Sequence, residues 1–338
     1  MIYLDNAATS FPKPPMVVRA MAGTLQKLGG NPGRSGHALS LCGGRIIQRC
    51  RELLAEAFDA PAPENVIFFP SCTEALNTAI RGTLCEGDEV ICSHAEHNAV
   101  MRVLKGLEEQ GAIRVRMLAP NSLGLIAPEA LTAAVTPRTA LCVICHASNV
   151  TGVVQPVQQL SRALKPYGVP LLVDAAQTAG ILDVSLSSLG ADMIAMPGHK
   201  GLLGPHGTGV LVLGRGMLPR PLVVGGTAIP YRDVRGGSTP SSGGGLWLGS
   251  DAVDDGSWGY FVGHNPGSFA PVRSLSSGDA VVVCDRSGAQ RAYTVREVFQ
   301  VEETATWKTI ASRVTGYGES VVLQTCAGDG MNVIVVAA

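Results

Sequence analysis

Between residues 60 and 215, short apolar runs alternate with segments of helical periodicity. VIFF (66–69) precedes TEALNTAIRGTL, and EVICS (89–93) precedes EHNAVMRVLKGLEEQG. IRVRML (113–118), TALCVICHA (139–147), VPLLVDAA (169–176), DMIAM (192–196) and GVLVL (209–213) follow, with helical stretches between several of them. Runs this apolar leave no polar face, so they predict strands buried on both sides. Such strands form a mostly parallel sheet with helices on both faces, an α/β architecture. Ligands of these sheets sit beyond the carboxyl ends of the strands, which directs attention to the polar residues there.

The pattern changes at RGGSTPSSGGG (235–245), whose Gly, Ser and Pro content predicts a flexible linker. Beyond it, short strand-like runs and turns predict a small barrel or sandwich, with one helix over WKTIASRV (307–314). Residues 1–228 are therefore expected as one domain, 229–245 as linker and 246–338 as a second, incomplete domain.

A chain of 338 residues suits two domains, and 46% hydrophobic against 16% charged residues supplies a core for both. A net charge of −1 gives no footprint for nucleic acid or an anionic membrane. No transmembrane run or secretory signal is apparent. Nine scattered cysteines read as free thiols of a reducing, cytoplasmic setting. Cys142 and Cys145 form a C-x-x-C, but within an apolar strand, where two buried cysteines are expected; no metal site is implied.

Several polar residues lie just beyond predicted strands. Lys200 follows DMIAM among glycines and beside His199; most lysines are solvated, but one that forms imines wants a partly buried pocket. Asp174 ends VPLLVD, either as a cap for the next turn or as the partner of a protonated ring nitrogen. Ser71, Cys72 and Thr73 open a helix, as an ordinary cap or as a phosphate cradle. His97 is a structural histidine or a ring that stacks on an aromatic ligand. Asn149 and Gln177 are further polar groups at strand ends.

In chain order, YLDNAAT (3–9), NPGRSGH (31–37), TEALN (73–77), EHN (96–98), HASNVTG (146–152), VDAAQTAG (173–180) and GHKGLLGPHGTGVL (198–211) resemble the class V, fold-type I pyridoxal-phosphate enzymes. The likeness is greatest to cysteine desulfurases and selenocysteine lyases. It implies pyridoxal 5′-phosphate as cofactor, Lys200 as its Schiff-base lysine and Asp174 on its pyridine nitrogen. It also implies His97 stacked on the ring, Asn149 and Gln177 near the phenolic oxygen, and Thr73 and His199, with Cys72 beside them, at the phosphate. A homodimer is implied, with Thr227 of Gly225-Gly226-Thr227 reaching the partner's phosphate. The substrate implied is cysteine or selenocysteine, with sulfur passed to an acceptor protein. The resemblance ends soon after Thr227, before the small domain that holds the family's substrate arginine and sulfur-accepting cysteine.

Downstream, WGYFVGHNPGSFAPV (258–272) and ESVVLQTCAGDG (319–330) resemble the second half of a sortase, a cysteine transpeptidase on a small β-barrel. The likeness implies a catalytic pair of His264 and Cys326. The family's arginine, expected near Val333 or Ile334, is missing. The expectations are thus a desulfurase-like enzyme, a sortase-like transpeptidase, or an inactive joined product.

Overall fold

The computed structural model describes residues 2–28, 30–32, 37–217, 220–234, 237, 239–240, 243–251, 253–285 and 289–338. The chain divides into two compact units, Met1–Met217 and Leu218–Ala338.

The first unit opens with helices α1 (Pro15–Lys27) and α2 (Ala38–Ala57). Its sheet has seven strands: β1 (Val66–Phe69), β2 (Glu89–Ser93), β3 (Arg114–Leu118), β4 (Thr139–Cys145), β5 (Leu171–Asp174), β6 (Met193–Pro197) and β7 (Gly209–Leu213). Between them lie α3 (Cys72–Thr83), α4 (Asn98–Glu109), α5 (Pro128–Ala134), α6 (Val157–Leu164) and the short α7 (Leu186–Leu189). The spatial order is β1-β7-β6-β5-β4-β2-β3. Strands β6, β5, β4, β2 and β3 pair in parallel, and β7 runs antiparallel between β1 and β6.

The predicted strands all form, and their apolar runs explain why. Ile91, Cys142, Ile144, Leu171, Val173, Ile194 and Val212 join one core with Leu131, Val157, Leu160 and Leu164 of the helices. Strand β3 is the exception, with Arg114 and Met117 exposed. It is the sheet edge, where a charged strand discourages further pairing.

The second unit is a closed eight-stranded barrel. Its strands are β8 (Arg220–Val224), β9 (Thr227–Asp233), β10 (Gly244–Gly249), β11 (Trp258–Val262), β12 (Ala280–Cys284), β13 (Gln290–Glu302), β14 (Ser320–Gly328) and β15 (Met331–Ala337). Their order is β10-β11-β14-β15-β13-β12-β8-β9, closed by β9 on β10. One helix, α8 (Trp307–Val314), packs outside with Ile310 and Val314 against Tyr260, Val322 and Ile334.

The boundary differs from the sequence expectation. Residues 220–233, expected in the first domain and the start of the linker, form a β-hairpin of the barrel. The reason is their alternation: Leu222, Val224, Ile229 and Tyr231 fill the barrel interior, and β8 pairs with β12. Gly225 and Gly226 make the two-residue turn, both at positive φ, which glycine adopts without strain. Gly244 and Gly245, also expected as linker, begin β10. The barrel is therefore closed where an incomplete domain was expected. The expected linker residues 235–236, 238 and 241–242 lie outside the described residues, as do residues 33–36 of the NPGRSGH motif.

Candidate active sites

Five strands of the first sheet deliver polar groups to one cavity of about 250 Å³. Its lining includes Ser71, Cys72 and Thr73 after β1, His97 after β2, Asn149 after β4, Asp174 and Gln177 at β5, and His199 and Lys200 after β6. These are carboxyl ends of strands, the place where such sheets bind ligands.

Asp174 is 2% exposed. Its Oδ1 accepts the Ala176 N–H at 2.9 Å and faces Cys72 Sγ at 3.9 Å. The carboxylate thus caps the following turn and still presents Oδ2, for which no hydrogen bond is found among the described residues. Burial raises its pKa, and the Ala176 N–H and the charges of His97 and Lys200 oppose that rise. The same burial, with Asp174 adjacent, pushes the Cys72 thiol well up, so the thiol stays protonated beside the carboxylate.

Ser71 is the N-cap of α3, its Oγ accepting the Glu74 N–H at 3.1 Å. The cap therefore exists, and the helix start still opens into the cavity. A Cβ on Gly209 would fall 2.2 Å from the Ser71 carbonyl carbon, so only glycine lets β7 pass this close. His97 caps α4 through Nδ1, which accepts the Ala99 N–H at 3.1 Å.

The N-terminal segment ties down the other side. Gln177 Nε2 donates to the Ala7 carbonyl at 3.0 Å, and Thr9 Oγ1 lies 3.1 Å from His199 Nδ1. Lys13 Nζ donates to the His199 carbonyl at 2.5 Å. Burial, with the charges of His206, Lys200 and Lys13, lowers the His199 pKa. Thr227 opens β9 of the barrel unit.

Glu96 of the EHN segment, to which the sequence gives no role, also lies at this end of the sheet. It is 9% exposed, and Oε1 accepts Ser93 Oγ at 2.6 Å and the Cys145 N–H at 2.9 Å. Its Oε2 is buried without a hydrogen-bond partner. Burial pushes its pKa to about 8. It borders a second cavity with Ser148 and Thr151, which shares His97 and Asn149 with the first. Cys142 and Cys145 are buried strand cysteines, as expected, but Cys145 also lines the first cavity.

The donor set fits pyridoxal 5′-phosphate. A free carboxylate oxygen suits a protonated ring nitrogen, a helix start suits a phosphate, and a primary amine suits an aldehyde. The family profile for aminotransferase class-V matches residues 2–241. The chain belongs to the aminotransferase class-V family. It is 36% identical over 232 residues to a probable cysteine desulfurase of Methanothermobacter thermautotrophicus, covering 68% of this chain and 57% of that protein. A cysteine desulfurase of Nostoc sp. is 38% identical over 230 residues, covering 67% and 56%. The apo cysteine desulfurase of Thermococcus onnurineus NA1 superposes with a TM-score of 0.59 at 30% identity, over 63% of this chain and 53% of that one. SspA in complex with cysteine gives 0.59 at 29% identity, over 63% and 61%. The chain thus spans little more than half the length of the curated class-V relatives it matches.

The barrel carries the second group of predicted residues. The sortase-domain profile matches residues 230–338. Strands β11 and β14 are parallel neighbours with Val262 opposite Gln324. His264 and Cys326 each lie two residues beyond that pair, so the register brings them to the same rim. The bonds around them agree: Gly263 N–H donates to the Gln324 carbonyl at 3.2 Å, and Asn265 Nδ2 to the Cys326 carbonyl at 3.0 Å. Thr325 Oγ1 donates to the Gly263 carbonyl at 2.9 Å. His264 is exposed and Cys326 half-buried.

Proposed function

We propose that the first unit binds pyridoxal 5′-phosphate and acts on L-cysteine in the manner of a cysteine desulfurase, yielding alanine and a transferable sulfur. The single observation that carries this reading is the shared cavity of Lys200 and Asp174, reached from separate strands. When bound, the cofactor withdraws electrons from the amino acid Cα and so makes its proton labile. Lys200 Nζ is the base that takes that proton and the acid that returns it. Asp174 Oδ2 would hold the ring nitrogen protonated, and the start of α3, Thr73 and His199 would bind the phosphate. His97 would cover the ring, and Asn149 and Gln177 would orient its phenolic oxygen.

The sulfur goes to an acceptor thiol outside this cavity, because burial raises the pKa of both lining cysteines, Cys72 and Cys145, and holds them as thiols. A sulfur-acceptor protein in the cytoplasm fits this chemistry. A homodimer fits the apolar surface of the first unit: α1 buries no residue and exposes Met16, Val18, Met21 and Leu25, and α2 exposes Leu39, Leu41, Ile46 and Leu53.

The test uses purified full-length protein with added pyridoxal phosphate. A visible absorption band is expected, then alanine and sulfide on addition of L-cysteine and dithiothreitol. Lys200→Ala should abolish both. A band that persists in that variant rejects Lys200 as the attachment site.

The register of β11 and β14 favours a second reading for the barrel, a cysteine acyl-transfer site built on Cys326 and His264. The thiol of Cys326 is the nucleophile and His264 its proton partner. Labelling by a thiol-directed peptide probe, lost in Cys326→Ala, is the expected result.

A further inference from the structure

A thiolate that adds to a carbonyl places negative charge on oxygen, and that oxygen needs a donor. Residues 331–338 contain no arginine or lysine to serve. The register of the barrel reveals what stands there instead. Strands β14 and β15 are antiparallel, with Cys326 directly opposite Asn332. Opposed residues of an antiparallel pair project to one face, their Cβ atoms about 4.5–5.5 Å apart. Along these strands Val321, Leu323, Val333 and Val335 fill the interior. Val322, Ile334 and Val336 belong to the outer cluster under α8. The period of two puts Cys326 and Asn332 on the outer face as well. The positions expected for the arginine do not serve: Val333 points inward, and Ile334 is fully buried. Asn332 is only 8% exposed, and no hydrogen bond to its carboxamide is found among the described residues.

We propose that Asn332 is the oxyanion donor of the Cys326–His264 site, its Nδ2–H bonding the carbonyl oxygen of an acyl substrate as Cys326 Sγ adds to the carbonyl carbon. This rests on the second reading above. The substrate class is a peptide acyl group. The Sγ–C bond forms, the C–N bond breaks, and His264 passes the thiol proton to the departing amine. An incoming amine then takes the acyl group and returns a proton to Cys326, with no net redox change. A neutral carboxamide serves where an arginine is absent because a donor aimed at the developing charge needs no charge of its own.

The test compares two reagents on the full-length protein. Acylation by p-nitrophenyl acetate passes through an oxyanion, whereas alkylation by iodoacetamide occurs at a saturated carbon and does not. Asn332→Ala should slow the Cys326-dependent acylation about 100-fold and leave alkylation of Cys326 unchanged. Asn332→Leu, of nearly equal size and without a charge that would perturb the thiol, should do the same and so separates the donor from the packing. If Cys326→Ala abolishes acylation while both Asn332 variants acylate at the parent rate, the assignment of Asn332 is overturned and the cysteine site stands. Equal loss of acylation and alkylation in the Asn332 variants also overturns it, because the residue is then structural. If Cys326→Ala acylates like the parent, the cysteine-site reading fails first.

Discussion

Asp174 and Glu96 are buried carboxyl groups that meet burial differently. Asp174 keeps one oxygen open to a cavity. Among the described residues no cation pairs with Glu96, and burial pushes its pKa up to about 8, which favours the neutral form near pH 7. Protonation removes the charge from this buried, unpartnered Oε2 and so lowers the cost of burying it. The consequence is a defined pH dependence. Below the ordinary value of 4.5 both folded and unfolded chains hold this proton, and the contribution is complete. Between there and about 8 only the folded chain holds it, so stability falls as pH rises. The slope from this group is about 1.4 kcal/mol per pH unit. Glu96→Gln keeps the size and removes the proton. Urea unfolding of the two proteins from pH 5 to pH 8 should show the parent losing stability relative to the variant, and parallel curves would reject a neutral Glu96. Nothing in EHN announced this residue, because its environment comes from Ser93 and from Cys145, a strand away.

At the scale of elements, the first site is a set of strand ends held in register. The apolar runs located those strands, and the polar residues after each run were legible in the sequence. Their meeting was legible only as a rule about parallel sheets. The close pass of β7 over the start of α3 was not legible, although its signal, Gly209 opening an apolar run, was present. Gly209→Ala should push the Ser71–Cys72 backbone away, since the clash is with main chain. We expect a loss of about 1–3 kcal/mol in urea unfolding and weaker pyridoxal phosphate binding in a spectral titration. Unchanged binding would mean that α3 does not hold the phosphate. In the barrel, Cys326 and His264 were readable from their flanking residues, whereas Asn332 emerged only from the pairing of β14 with β15.

For the whole molecule, the division falls between residues 217 and 218. The segment around Gly225-Gly226-Thr227 reads as the end of the first family, and the class-V and sortase profiles overlap over residues 230–241. In the structure this segment is a hairpin that closes the barrel between β12 and β10. Truncation tests this. A fragment of residues 218–338 should unfold cooperatively in urea. A fragment of residues 246–338 lacks β8, β9 and the start of β10, leaves β12 without its second neighbour, and should lose that transition and aggregate. A stable shorter fragment would show that the hairpin is dispensable.

Short apolar runs settle where strands form, because burying them is the dominant gain available to the chain, and that much is local. The order of the residues also carried both family likenesses. Which carboxyl group stays neutral, which strand closes the barrel and which side chain faces Cys326 depend on partners distant along the chain. Burial, register and hydrogen bonding are properties of those pairs, and they exist only once the chain has folded.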